Sequence, residues 1–494
     1  MTKTITTLAI IRQVWLAVTA SLGYLTIGLV RGWSSPAIPS MREISPNLAP
    51  DDEVISWISA VPPLGAFVGS LFCGPMMQGL GRKKTLLISS PLFAASWLII
   101  GLANHWGIII AARAFSGFCV GIVLPSAQIY VSECSHPRMR GMMGSLPALA
   151  MAIGILVSYI LGTFLSWYAL SIASAAFPAS LVVLLQFLPE SPTWLQTKGR
   201  TTEAKAALEW LQRESNIATV ELSTIEPPKE VVTALPSNEE KTIRSKKAIA
   251  SGPYSLDSML RKPVLVPFGL AVGILVFQQV SGIDSIVFYT VSIFKASGST
   301  LGEYESTIIV GAVQVVATIA SVLLVDAQGR KALLLISGVT MAVSMAALGA
   351  YFYLLDKGKA GGLGLLPLFS QLVFIVGYSL GYCNIPFILM GELLPIAQRS
   401  LLSSVAGALN LASMFVVIKT FPDLVDIIGS DGTFWLYACL CALSCAFVHF
   451  FLPETKGKSL DEIEELFEKM SSNPRIKTAE ERARQPKQDM IVMH

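Results

Sequence analysis

The 494-residue chain draws 53% of its residues from the AVILMFWYC set and only 14% from the charged ones, against about 25% charged in an ordinary soluble protein. The apolar residues come in blocks of about 20, the length that crosses a hydrocarbon core, so the bilayer is the solvent and a soluble globular chain is excluded. A formal net charge of +3 is too small for a nucleic-acid surface, and no basic run is interleaved with stacking aromatics.

The first block, residues 14–36, is followed by proline and acidic residues without a small-residue cleavage site, and is read as a retained span rather than a signal peptide. Further blocks fall near 55–79, 85–103, 107–131, 141–163, 167–188, 263–295, 303–325, 332–355, 365–390, 400–422 and 432–452. Between the sixth and seventh, residues 189–262 are polar and include the helix-forming TTEAKAALEWLQRE at 201–214. After the last, an amphipathic SLDEIEELFEKM helix leads into a polar tail. The expectation is an all-α membrane protein of twelve transmembrane helices in two six-helix bundles, 1–188 and 263–452, with a cytoplasmic helical linker at 189–262 and a tail at 453–494.

Cations mark one set of loops: Arg82, Lys83 and Lys84; Arg138 and Arg140; Arg330 and Lys331; Arg399. The opposite loops carry Asp51, Asp52, Glu53, Glu303, Glu305, Asp423, Asp426 and Asp431. Because cationic loops resist translocation, the basic loops and both termini are expected in the cytoplasm, with the plasma membrane as the default address. The seven cysteines lie in or beside apolar blocks and act as small hydrophobes. Cys439, Cys441 and Cys445 are read as small residues of helix packing, and neither a disulfide framework nor a metal site is expected. No GxxxxGK[ST] phosphate loop occurs, which speaks against an ATP-driven pump, and no cofactor is expected.

The halves repeat. GRKK at 81–84 is echoed by GRKA at 329–332, and PESPTWL at 189–195 by PETKGKS at 453–459. Glu133 precedes Arg140 by seven residues, as Glu392 precedes Arg399. Two parallel six-span repeats point to alternating access about a midplane site. Arginines and glutamates at one membrane edge can pair across helices and latch that face; Lys83, Lys84 and Lys331 fit topology or lipid headgroups as well.

A sugar's hydroxyls both donate and accept, so uncharged amides suit it. Gln278 and Gln279 lie in span seven, where Gln278, Ser281, Ser285 and Tyr289 share a helical stripe and Asp284 points elsewhere unless Ser281 and Gly282 break the helix. A broken helix at mid-membrane borders a cavity. The alternative is that the glutamines bridge helices. A carboxylate at mid-membrane costs about 2.5 to 3.5 kcal/mol on insertion scales, which makes Asp284 a functional candidate, as a hydroxyl acceptor or as a proton carrier.

Together with ECSHPRMRG at 133–141 and QQVSGIDSIVFYT at 278–290, these motifs resemble the signature set of the sugar-porter branch of the major facilitator superfamily over roughly residues 20–463. The QQ, SGI and FYTVSIF pattern, Gln314 and KTFPDL at 419–424 are similar to the insect facilitated trehalose transporters, a subgroup close to the glucose facilitators. The resemblance implies sugar contacts from Gln278, Gln279, Asp284, Gln314 and Asn410, an aromatic at Phe387, and an extracellular cover at Tyr289. It implies a cytoplasmic latch of Arg82, Glu133, Arg140 and Glu190 in one half and Arg330, Glu392, Arg399 and Glu454 in the other. Departures stand at Ala148, where the family has glutamine, beside Pro147, and at Phe387 for tryptophan and Asp284 for asparagine. In the latch, Gln78 and Thr193 replace an aspartate and an arginine. Arg31 reads as a snorkelling arginine near the outer end of span one, and Arg113 as part of the framework. Proton-coupled relatives carry an acid in span one, and this span has none. The expected function is facilitated uniport of trehalose or a hexose by a monomer, with proton symport through Asp284 or a non-transporting receptor as alternatives.

Overall fold

The computed structural model describes residues 7–48, 51–136, 139–212, 262–298, 301–395 and 399–456, with 462 and 467 beyond them; the side chains of 7, 140–141, 262–263, 322–328 and 399–400 are not described. The sequence features at 213–261, the tail after 467, Arg138, and the side chains of Arg140 and Arg399 lie outside the described residues.

Among the described residues, 11 helices are long and apolar enough to cross a membrane. The last, Leu401–Phe451, has 51 residues; at 1.5 Å per residue it would extend about 76 Å, more than twice a hydrocarbon core of about 30 Å. Gly429, at φ 77° and ψ 165°, breaks it into two. The result is twelve crossings in an all-α fold.

Spans one to six are Thr7–Ile44, Asp52–Leu80, Arg82–Gly101, Trp106–Cys134, Arg140–Phe164, and the pair Trp167–Ser174 and Ala176–Gln186. Span seven is split into Lys262–Val280 and Ile283–Ser297, and span ten into Leu366–Leu380 and Ile385–Leu393. Glu303–Gln328 and Arg330–Asp356 form spans eight and nine. Two short helices, Pro192–Thr197 and Thr201–Gln212, begin the insert, and Arg12 Nη1 donates to the carbonyl of Trp210 at 2.8 Å.

Span one differs from the sequence reading. It does not stop at residue 36 but continues through Pro36 and Pro39 to Ile44. Each proline removes one N–H, yet packing holds the helix: Gly162 of span five lies so close to the Pro36 ring that a β-carbon there would clash. The consequence is that Arg31 lies well inside the span rather than near its end.

Small residues let helices approach within each half. Gly28 meets the Met151 backbone and Gly154 the Leu25 backbone, joining spans one and five; Gly65 and Gly69 meet the Ala114 and Phe118 backbone, joining spans two and four. With no hydrophobic force between helices in lipid, this close backbone packing supplies much of their association.

The halves touch on the side of the acidic loops. Val291 N donates to Ser35 Oγ at 3.0 Å, and Tyr159 Oη donates to the carbonyl of Val287 at 2.9 Å. Trp57 packs on Phe415 with ring centroids 5.9 Å apart, and Lys295 reaches Glu43 at 3.6 Å.

Candidate functional site

The site begins with the break in span seven. Gly282 has φ +86°, a left-handed conformation open to glycine, and a β-carbon there would lie 2.6 Å from the Tyr437 ring. The chain restarts as a helix at Ile283, with Asp284 in the first turn, where unpaired N–H groups favour a carboxylate. The expected break at Ser281 and Gly282 is therefore present, and it turns Asp284 inward to complete burial.

There Asp284 Oδ1 accepts a hydrogen bond from Arg31 Nη2 of span one, an ion pair across the two halves. Arg31 does not snorkel. Its helix ends at Ile44 and that of Asp284 at Ser297, so each residue sits about 20 Å from the acidic end of its helix at 1.5 Å per residue. A charge at that depth pairs inside the protein instead of reaching a headgroup.

Deeper by about two turns, three amides form a chain. Gln279 Nε2 donates to Asn410 Oδ1 at 3.2 Å; Asn410 Nδ2 donates to Gln278 Oε1 at 3.0 Å and to the carbonyl of Leu275 at 2.8 Å. Gln278 Nε2 donates in turn to the carbonyl of Tyr382 at 2.6 Å, an acceptor freed where span ten is broken between Leu380 and Ile385. Gln278, Gln279 and Asn410 are 2%, 4% and 5% exposed, so they face the protein interior and not acyl chains. Tyr378 lies beside both Gln278 and Arg31 and links the two layers.

Three acceptors on the residues singled out by the sequence are buried without a partner: Gln279 Oε1, Gln314 Oε1 of span eight, and Asp284 Oδ2. An unsatisfied buried polar atom costs about 1 to 3 kcal/mol, so the arrangement is suited to a guest that brings hydroxyl donors. Phe387 is different: it is 44% exposed and does not share the burial of the amides. Tyr289 is buried toward the acidic side and stacks on Phe421 at 5.1 Å; Phe421 in turn stacks on Tyr437 at 6.5 Å. Arg113 belongs to the framework, donating to Ile58 O at 3.2 Å, Val30 O at 3.0 Å and Ser34 Oγ at 2.8 Å, with its guanidinium 4.9 Å over Trp33.

At the basic end, each half builds the same knot. Gly81 and Gly329, at φ +96° and +92°, end spans two and eight and start the next helices. The absent side chain admits a carboxylate to the exposed N–H groups. Glu190 Oε1 accepts from Arg82 N and Lys83 N at 2.9 Å each, and Glu454 accepts from Arg330 N and Lys331 N at 3.1 Å each. Arg82 Nη2 pairs with Glu133 Oε1 at 2.9 Å, and Arg330 Nη2 with Glu392 Oε1 at 3.1 Å. Burial raises the Glu454 pKa, but backbone N–H groups of Lys456, Arg330, Lys331 and Thr455 outweigh it and leave the carboxyl below its ordinary range. These bonds tie three helix ends together within a half.

Two parts of this geometry escape the sequence reading. Ser191 Oγ donates to Glu133 Oε2, and Thr455 Oγ1 donates to Glu392 Oε2 at 2.6 Å. The signal was present, since a hydroxyl follows the glutamate in both PES and PET. For Arg31 the signal was a complementary charge, Asp284, in another apolar block.

The family profile described as "Sugar (and other) transporter" matches residues 17–467. The chain belongs to the sugar transporter family. Its relatives within that family include the facilitated trehalose transporter Tret1 of Culex quinquefasciatus, 38% identical over 92% of this chain and 85% of that protein. Tret1 of Apis mellifera ligustica is 37% identical over 92% of this chain and 88% of that protein. The chain spans about half the length of the Aedes aegypti and Anopheles gambiae relatives of the same name, 54% and 55%. Among solved structures, an inward open conformation of the xylose transporter XylE from E. coli superposes with a TM-score of 0.74 at 23% identity, covering 92% of this chain and 99% of that one. The proton:xylose symporter XylE bound to 6-bromo-6-deoxy-D-glucose gives 0.71 at 24%, with the same coverage. This likeness shows the fold, the two six-helix bundles of the major facilitator superfamily.

Proposed function

We propose that this chain carries a neutral polyhydroxylated sugar, trehalose or a hexose, down its gradient by alternating access of a midplane site. The observation that carries the reading is the buried chain Gln279–Asn410–Gln278 with free acceptors at Gln279, Gln314 and Asp284. Sugar hydroxyls can supply the missing donors without bringing charge into the bilayer. Gln278, Gln279, Asp284, Gln314 and Asn410 are the proposed contacts, and Phe387 is proposed to meet the sugar's C–H face from the exposed side.

In this reading the basic loops and both termini are cytoplasmic, in a plasma membrane, and residues 1–188 and 263–452 rock as bodies joined by 189–262. A monomer suffices, since one chain holds the whole site. The contacts of Ser35, Tyr159 and Trp57 then close the extracellular side, with Tyr289 over the sugar. Arg82, Glu133, Arg140 and Glu190, with Arg330, Glu392, Arg399 and Glu454, brace the cytoplasmic helix ends. Uniport is favoured over proton coupling because the one carboxylate at the site is matched by Arg31, and the sequence of span one contains no acid before Glu43.

Uptake of radiolabelled trehalose and glucose into proteoliposomes, with and without a pH gradient, tests the proposal. Equilibration to the external concentration in both conditions is expected. Uphill accumulation lost in Asp284→Asn would replace uniport by symport, and sugar binding without uptake would leave a receptor.

A further inference from the structure

Within that reading, we infer that Arg31 is itself a sugar-contacting and specificity-determining residue, and that it forms with Asp284 a neutral, two-sided clamp for a hydroxyl. In span five, Pro147 and Ala148 carry no side-chain hydrogen-bonding group. Arg31 brings a donor to Asp284 from span one. Its side chain retains 16% exposure, so it borders accessible space. It reaches Asp284 of span seven and lies beside Tyr378 of span ten, which also neighbours Gln278.

The pair is joined by one nitrogen and one oxygen, Nη2 and Oδ1. That leaves Arg31 Nε as a buried donor and Asp284 Oδ2 as a buried acceptor, both without partners. A hydroxyl is the complement of that vacancy, because it accepts and donates at once. The two formal charges cancel, so the clamp selects neutral polyols: a sugar acid would meet Asp284, and an amino sugar would meet Arg31, each as a like charge.

The test is a switch of charge preference. Uptake of labelled glucose by full-length protein in proteoliposomes is measured against competing glucuronate and glucosamine. In wild type both should compete poorly beside unlabelled glucose. Asp284→Asn exposes a lone guanidinium and should improve glucuronate relative to glucose by about tenfold or more; Arg31→Gln exposes a lone carboxylate and should improve glucosamine by a similar factor. The double variant should lose both gains. An arginine that only struts the two halves together would alter uptake rates without changing either ratio. Unchanged ratios in the variants, with glucose uptake intact in wild type, overturn this inference and leave the sugar-carrier reading standing. Absence of sugar uptake by wild type overturns both. Because the two single variants move opposite ligands, failure of one to fold leaves the other decisive.

Discussion

The two halves agree at the helix ends of the basic side and differ at the proposed solute site. At the basic end, Arg82, Glu133, Ser191 and Glu190 are matched by Arg330, Glu392, Thr455 and Glu454, bond for bond. At mid-membrane the carboxy-terminal half presents Gln278, Gln279, Asn410, Gln314 and Asp284, while the amino-terminal half answers with Arg31. A repeated fold keeps the parts that terminate helices, since a lost cap fails in either half. The mid-membrane polar residues terminate no helix in common, so nothing in the repeat requires them to match.

The sharpest break of that contrast is Asn410→Leu. It removes a proposed sugar contact and the amide that orients both Gln278 and Gln279; with about two hydrogen bonds to the sugar lost, at about 0.5 to 1.5 kcal/mol each, sugar uptake should fall by about 10-fold to 100-fold. Ala148→Leu, the comparable change in the other half, should cost less than about threefold, since no amide network is lost there. Initial uptake rates in proteoliposomes at matched protein content check the pair. Equal losses would mean that both halves bind the sugar equally.

A smaller effect sharpens the asymmetry. Ala148→Gln adds an amide to span five and should tighten a monosaccharide by about threefold to tenfold, the worth of one hydrogen bond. Trehalose, with a second ring to accommodate, should gain less or lose. Competition of glucose and trehalose for the same labelled substrate reads the ratio; an unchanged ratio would take span five out of the sugar path.

Much of this was legible because lipid simplifies the code. Twelve apolar blocks gave twelve crossings, and Gly282 between two polar stretches announced a broken helix that places Asp284. What was not legible depended on packing. Pro36 and Pro39 read locally as the end of span one, and only the close contact of Gly162 with Pro36 explains why the helix continues to Ile44. With the helix read as ending at Pro36, Arg31 lies near an apparent terminus, and the complementary charge of Asp284, 253 residues away, is linked to it only by packing. Phe387 is a motif position whose 44% exposure depends on how span ten breaks, which the apolar pattern of that span does not reveal.

The repeated knots should respond alike. Glu133→Gln and Glu392→Gln each remove one partly buried ion pair, with side-chain exposures of 17% and 22%. Each should cost about 1 kcal/mol or less, a fall of about 2 °C or less in melting temperature. A much larger loss in one half would show that the matched bonds bear unequal loads.

The smallest effect concerns charge at the Glu454 turn. Its carboxyl is buried enough to lose hydration, yet four backbone N–H groups stabilise the anion and hold the pKa below the ordinary range. A depressed folded pKa contributes stability that is fully present above the unfolded value, near 4.3, and is lost as pH falls through the folded one. Glu454→Gln should therefore melt lower than wild type at neutral pH, with the gap narrowing only below about pH 4.3. Melting curves in detergent between neutral and acid pH measure that gap. If it stayed constant down to about pH 3, the glutamate would be holding the turn by the shape of its oxygens, because a glutamine can accept from the same N–H groups but with one oxygen instead of two.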